Sequence, residues 1–533
     1  MKKKFLKRLL AVSLAGLMTV PLAGCGNEDA SAIPESSSVE QSGTSSQVSS
    51  EEPSEDPVDI RIFSAYSEAD EAESSKFLVS ELEKALNINL VRDEIPSSAY
   101  QEKLQLAMSD GDYPDVFIFN SHEDSLLLSA IDNGLIISID EYLETGNYPN
   151  LMKYTYDEAW EAVKIRNDGM TYLVPRTTVS RVDGFVIRED WLNNLGIQIA
   201  SDNTSVTKEE FLNIMKAFCE NDPDGDGLRN TYGIVYTPDS SGNLFTICDG
   251  AFNCLGWQES NGDYSYMAPQ YEIGNENYLE LLEYNQQLYK YAHPDGIVSS
   301  DSSSFLTAGQ IGTAISFAGH VSNKETEIRN VNPDAECTYL AGVVNDDGIL
   351  QGMLSYPGIW GGLAITKNCE NPEKVLEMVD WLLSDQAWEY ALYGIPDVTY
   401  EKEADGTCRV IDADLYKSYK VNGIWGTIIA RRKEDANFFI DLSLPEEQYS
   451  TIKGWIDIAV AAAQFERNYG KQPAITTDTA FIEAENTRKE AITKIIMGAM
   501  SVDEYESVLQ NWYSKGGETY IEQMNEIILG IGN

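Results

Sequence analysis

Between Val58 and Phe119 the hydrophobic pattern switches repeatedly between a period of two and a period near 3.6, and this alternation constrains the fold more than any other feature of the chain. Val58, Ile60 and Ile62 alternate with Asp59 and Arg61, as in a strand with one buried face. A helical stretch spans 71–86, and a second short strand follows over 88–91. Tyr100, Leu104, Ala107 and Met108 fall at i, i+4, i+7 and i+8, one face of a helix. Val116, Phe117, Ile118 and Phe119 form a continuous apolar run, the pattern of a strand covered on both faces. Strand, helix, strand, helix, strand predicts a parallel sheet with packed crossover helices. Ligands in such sheets bind beyond the carboxyl ends of strands, here residues 64–67 and 120–122.

Later segments repeat this style. Thr207 with Glu210 is a capping box ahead of an apolar helix over 211–218. Asn371-Pro372-Glu373 offers an N-cap followed by proline at N1, and Val375, Met378, Val379 and Leu382 form a helical stripe. Residues 311–317 and 362–365 read as strands, and there is no short-period repeat. At 533 residues, 43% of them hydrophobic, the chain is too long for one simple core. The expectation is an α/β fold of two lobes around a ligand cleft, with open, mainly parallel sheets and helices on both faces.

The N-terminus reads as an address. Lys2, Lys3, Lys4, Lys7 and Arg8 precede a mostly apolar run over 9–22, too short to span a membrane easily. Leu22-Ala23-Gly24-Cys25 follows and resembles the lipobox of bacterial lipoproteins, which implies a cleaved leader over 1–24 and a diacylated Cys25. Two acyl chains suffice for stable anchoring. Residues 26–57 hold ten serines and eight acids with no basic or aromatic residue, a composition that forms a self-repelling tether. The folded body is expected over 58–533, held at the extracytoplasmic face of a bacterial membrane.

The net charge is −48, and it becomes more negative once a leader carrying five cations is removed. Such acidity excludes nucleic acid and anionic lipid surfaces as partners of the body, because both are polyanions. Three histidines argue against a His-rich metal centre. After Cys25 the cysteines are Cys219, Cys248, Cys254, Cys337, Cys369 and Cys408, in no zinc-binding spacing. Cys248 and Cys254 are near enough in sequence to pair, and six free thiols fit the spacing equally well.

Several segments resemble, in order, the family 1 extracellular solute-binding lipoproteins of bacterial carbohydrate ABC importers, and within it the large oligosaccharide-binding branch. They are Tyr113-Pro114-Asp115-Val116-Phe117, Tyr172-Leu173-Val174-Pro175-Arg176 and the helix Arg188-Glu189-Asp190-Trp191-Leu192 leading to Leu195-Gly196. The loop Asp222-Pro223-Asp224-Gly225-Asp226-Gly227 leading to Thr231-Tyr232-Gly233 is another, and Ile496-Met497-Gly498, Asp503-Glu504-Tyr505 and Lys515-Gly516-Gly517 resemble the family's final helices. The resemblance covers roughly 58–533. It implies a periplasmic-binding-protein-like fold of intertwined lobes, no catalysis, an oligosaccharide or other polar solute as ligand, and permease subunits on separate chains.

Asp222, Asp224 and Asp226 alternate and precede Gly227, so their carboxylates converge on one point, and hard oxygen donors suit Ca²⁺. Leu228 would add its carbonyl and Asn230 its amide oxygen, in a structural rather than catalytic site. The bidentate Glu that closes an EF-hand is missing, since Gly233 stands there. The alternative is a solvated Asp-Gly turn.

A sugar cleft needs aromatic planes for C–H faces and amides, acids or arginine for hydroxyls. The candidates by loop position are Tyr66, Asn120, Ser121, Arg176, Trp257, Tyr356, Trp360 and Trp425. For each aromatic the competing role is core packing, and for Arg176 a loop-ordering salt bridge. Trp191, Trp381 and Trp388 read as packing. No nucleophile elbow, His-Glu-x-x-His motif or Walker A loop is present in the sequence. The alternatives to a binding protein are an extracellular polysaccharide-active enzyme and a ligand-sensing receptor for a membrane kinase.

Overall fold

The computed structural model describes residues 56–531 except 67–71, 97–98, 112, 123, 167, 178, 200–203, 240, 300–301, 353–358, 420–431 and 434. The leader, Cys25 and the tether up to residue 55 lie outside the described residues, as do Tyr356 and Trp425. The main strands are β1 (Val58–Tyr66), β2 (Ile88–Pro96), β3 (Val116–Phe119), β4 (Val174–Thr177), β5 (Gly184–Arg188), β6 (Thr313–Ser316), β7 (Cys337–Leu340) and β8 (Ile359–Ile365).

The expected strand–helix alternation is present at the start. β1 pairs parallel with β2 and with β3, and the helices Glu73–Leu86 and Tyr100–Asp110 are the crossovers. The first sheet has the order β2-β1-β3-β8-β4, and β8 runs antiparallel to both neighbours. A second sheet, β7-β5-β6, is wholly antiparallel. Among these main strands parallel pairing is thus confined to the first three, which corrects the mainly parallel expectation. Periodicity marks a strand but not its direction. β8 enters the first sheet beside the carboxyl end of β3 and must run against it.

Each sheet carries its own core. Ile60, Ile62, Phe117 and Leu363 of the first sheet pack with Leu78, Leu104, Leu376 and Trp388 from surrounding helices. In the second, Phe185 and Ile187 of β5 face a core with Trp191, Phe211, Leu281 and Trp512, while Val186 faces the opposite side with Phe317, Tyr339 and Ile456. That alternation covers β5 on both faces and explains its unbroken apolar sequence. Trp191 and Trp388 are buried, and Trp381 packs half-buried against the first core. Local signals hold: Thr207 and Glu210 form a reciprocal capping box on the helix Lys208–Glu220, and Pro372 opens the helix Pro372–Leu382. Cys219, Cys248, Cys254, Cys337, Cys369 and Cys408 are free thiols.

The chain passes between the two cores at 179–183, between Gly352 and β8, and at 438–440, where Phe438 belongs to the first core and Ile440 to the second lobe. These crossings touch one another. The Val182 N–H donates to the Ala459 carbonyl and the Gly352 N–H to the Ala462 carbonyl, so two crossings hang on the end of the helix Glu446–Ala461. Arg181 of the first crossing lies 4.0 Å over the Phe317 ring and 4.9 Å over Phe439 of the third.

Gly361 shows how closely β8 and β3 approach at this end. Its φ is +71°, and an added Cβ would stand 1.9 Å from the Phe119 carbonyl oxygen. The Gly361→Ala variant is expected to lose about 3 kcal/mol or more of stability, from backbone strain and overpacking together. A thermal melt matching the parent would contradict this packing.

Candidate functional site

The crossings join two sheet ends, and three of the candidate ligand-binding groups, Asn120, Ser121 and Arg176, lie at the end of the first. On the first sheet, Gly362 of β8 pairs with Phe119 of β3 on one side and Pro175 of β4 on the other. Asn120 and Ser121 therefore follow β3 at the edge where Arg176 stands, and Tyr66 ends β1 at the same edge. Asn120 is exposed, whereas Arg176 is 8% exposed. Burial pushes the Arg176 guanidinium down to about 10, and the facing Tyr100 hydroxyl opposes that shift. Arg176 thus stays charged at neutral pH. Tyr100 is itself fixed by donating to the Ile118 carbonyl at 2.6 Å and the Phe63 carbonyl at 3.1 Å. Behind Ser121, His122 is buried, and desolvation holds its imidazole down to about 4.

Trp257 is elsewhere. It is 5% exposed in the second core, with its ring 5.9 Å from Tyr271 and 6.0 Å from Tyr520. The loop before it, 250–256, supplies wall to a cavity of about 600 Å³ beside the start of β5. Asp183, Phe185, Phe245, Asp249, Gly352 and Arg488 are among its lining residues. The size is that of a small-ligand site. Asp183 and Gly352 belong to two of the crossings, so the cavity borders both.

Sequence reading missed this cavity. Phe245 is 58% exposed, a large aromatic left in solvent, but its accessibility is invisible before folding. Asp249 begins the short turn Asp249–Phe252, set by Cys248 in the left-handed region at φ 68°. The Thr246 hydroxyl donates to Asp249 Oδ1 at 2.8 Å. Burial nevertheless pushes the Asp249 carboxyl up to about 6. Arg488 is held by Glu485 through two bonds of 2.9 and 2.6 Å and lies 4.8 Å over the Tyr271 ring.

The acidic loop forms a third cluster. Asp222, Asp224 and Asp226 each bring one carboxylate oxygen within 4.8 Å of the others. Asp222 adopts φ 51° and accepts from the Gly227 N–H at 3.1 Å, which curls the loop. Asn194 anchors it by donating to the Pro223 carbonyl at 2.9 Å. Asp222 Oδ1 is buried without a hydrogen-bond partner. Burial and repulsion from Asp226 and Asp222 push the Asp224 carboxyl upward. Three converging carboxylates, one with an orphaned oxygen, fit a hard cation. Leu228 donates its N–H to Asp226 Oδ1 at 2.7 Å, and Asn230 turns its amide Nδ2 to Asp226 Oδ2 at 3.0 Å.

Residues 67–387 match the family model described as bacterial extracellular solute-binding protein. The chain belongs to that family. It is 24% identical over 488 residues to the polygalacturonan/rhamnogalacturonan-binding protein YtcQ of Bacillus subtilis (strain 168), covering 84% of this chain and 87% of that protein. Among solved structures it is similar to the ABC-transporter substrate-binding protein FusA of S. pneumoniae in complex with kestose. The TM-score is 0.61 at 16% identity, over 89% of this chain and 99% of the other. The alginate-binding protein AlgQ2 without calcium ion gives a TM-score of 0.61 at 18% identity, over 89% and 98%. These likenesses establish the two-lobe α/β fold of a solute-binding protein, and the family consists of binding proteins rather than enzymes.

In this solute-binding protein His122 ties the first-sheet edge to pH. Its folded value lies below the ordinary 6.5, so its contribution to stability is complete above pH 6.5 and is lost as pH falls toward 4. The loss amounts to about 3 kcal/mol at the bottom of that window. Asp249 acts oppositely over the same range. His122→Asn should therefore flatten the fall in melting temperature below pH 6.5 relative to the parent, and parallel curves would contradict the assignment.

Proposed function

We propose that this protein captures an oligosaccharide between the first-sheet edge and the second-lobe cavity and delivers it to a separate ABC importer permease. The observation that carries this reading is the cavity of about 600 Å³ bordered by Asp183 and Gly352 of two crossings, and Arg176 at the sheet edge just before the first crossing supports it. Ligand that touches both lobes biases them toward closure about the crossings. Exposed Phe245 offers a face for sugar C–H groups, while Asn120, Arg176 and Asp249 offer hydroxyl partners. Tyr66, Tyr356, Trp360 and Trp425 are proposed as further contacts on sequence position, and Trp257 as support for the cavity loop. The names of the relatives, which cite a polysaccharide and a trisaccharide complex, support a carbohydrate. No catalytic step is required.

Cys25 would carry the diacyl anchor, placing the body at the extracytoplasmic face of the membrane. Ca²⁺ would sit among Asp222, Asp224 and Asp226, with Leu228 and Asn230 as the further ligands, and would pin the loop after the helix Lys208–Glu220.

A melt panel of mono- and oligosaccharides tests the carbohydrate reading. A glycan at a hundred times its dissociation constant adds about 2.7 kcal/mol, a visible shift. A shift without turnover supports capture, and turnover of a glycan would replace it with the enzyme reading. For calcium, EDTA should lower the melting temperature of the parent and leave Asp224→Asn unmoved. A parent indifferent to EDTA would contradict the metal site.

A further inference from the structure

A turn at the cavity wall holds an asparagine whose side chain the fold does not use. Asn243 lines the cavity and is 6% exposed. Its backbone is committed: the Asn243 N–H donates to Asp239 Oδ1 at 2.9 Å, and its carbonyl accepts from the Asp239 N–H at 2.9 Å. The next residue, Leu244, donates its N–H to Thr493 Oγ1 of the helix Thr479–Ile496 at 2.9 Å. The side-chain amide is different. Among the described residues the buried asparagines are Asn243, Asn285, Asn345, Asn468 and Asn525, and Asn243 is the one whose amide makes no hydrogen bond.

Turns keep asparagine for two local reasons, a left-handed backbone and a side chain that bonds its own turn. Neither applies. The left-handed position of this turn is Gly242, at φ +84°, and Asn243 lies outside that region. The side chain that closes the turn is Asp239, which also accepts from the Ser241 N–H at 2.8 Å. Nor is the amide sealed away. Unpartnered atoms shut off from solvent include Ser180 Oγ and Asn468 Oδ1 but neither amide atom of Asn243, which therefore keeps access to the cavity it lines.

Phe245, two residues on, lines the same cavity and is 58% exposed. The loop bearing Asp249 is braced, since an added Cβ on Gly250 would lie 2.1 Å from the Gln351 carbonyl oxygen. A donor and an acceptor on fixed backbone, near an exposed aromatic ring, are preorganised for a partner. The amide defines that partner. Its oxygen accepts and its nitrogen donates from a single carbon, and two hydroxyls on adjacent carbons of a sugar ring can answer both at once. The C–H face of such a ring suits Phe245.

We propose that Asn243 is a specificity-determining residue of the cavity, donating to one hydroxyl of a sugar ring and accepting from its neighbour. The inference rests on the carbohydrate reading and deepens it. A ring that lacks either hydroxyl leaves the amide half unpaired in the complex, and a site built to bond a hydroxyl penalises its absence.

The test compares the parent protein with Asn243→Leu, which replaces the amide by an apolar group of similar size, and with the smaller Asn243→Ala. Affinities are measured for kestose, maltotriose, cellotriose and the trimer of galacturonate, then for the monodeoxy derivatives of the tightest of the four. Melting temperatures are taken without sugar. Both variants should lose about tenfold or more for the tightest sugar. Two adjacent deoxy positions should each weaken the parent and leave the variants nearly unmoved, while the other positions weaken all three proteins alike. At least one variant should melt as the parent does, because neither substitution removes an intramolecular bond. Unchanged affinity in both variants, or deoxy penalties identical in parent and variants, would overturn the inference and leave carbohydrate capture standing. Variants that both melt well below the parent would assign the amide to stability and overturn it likewise. A parent that binds none of the four sugars would overturn both readings.

Discussion

The structure depends on a contact with no room in it. Gly352 of the second crossing would place a Cβ 1.5 Å from Val182 Cγ1 of the first, and both segments hydrogen-bond to the end of the helix Glu446–Ala461. Two connections between the cores are thereby fastened to one point, and Arg181 ties the third by lying over both the Phe317 and Phe439 rings. Closely packed, backbone-bonded crossings leave the lobes few ways to move, which is the mechanical requirement of a hinge. They also fix which sheet ends face the hinge, and with that the place where a ligand can touch both lobes.

Many elements of both lobes were legible in the sequence because their signals are local. The alternation at Val58, Ile60 and Ile62, the apolar run of β3 and the capping box at Thr207 are each written within a few neighbouring residues. Asn120 and Ser121 followed from a topological rule about strand ends, whereas Arg176, chosen for its place after Val174-Pro175, stands inside β4 and is buried. What remained hidden is non-local. The antiparallel direction of β8 is set by a return from the other lobe, and β5 owes its apolar character to two cores contributed by segments hundreds of residues apart. Trp257 illustrates the same limit. Its loop does line the cavity, but whether the indole faces sugar or core is decided by Tyr271 and Tyr520, and Tyr520 lies in the C-terminal helix Glu518–Ile531.

The acidic loop was the most readable cluster, since alternate carboxylates before a glycine converge whatever surrounds them. Asp249 was the least readable. Its significance comes from burial, from the left-handed Cys248 before it and from a brace at Gln351, none of which a lone acid among 86 acidic residues announces.

A carbohydrate captured by this protein is expected where the crossings join the two sheets. The most direct measurement is a crystal structure of the protein with an oligosaccharide that raises its melting temperature. The account predicts density for the sugar in the cavity beside Asp183 and Asp249, with contacts reaching across the hinge to the edge that carries Asn120 and Arg176. Sugar bound on an outer face, away from the crossings and touching one lobe alone, would contradict it.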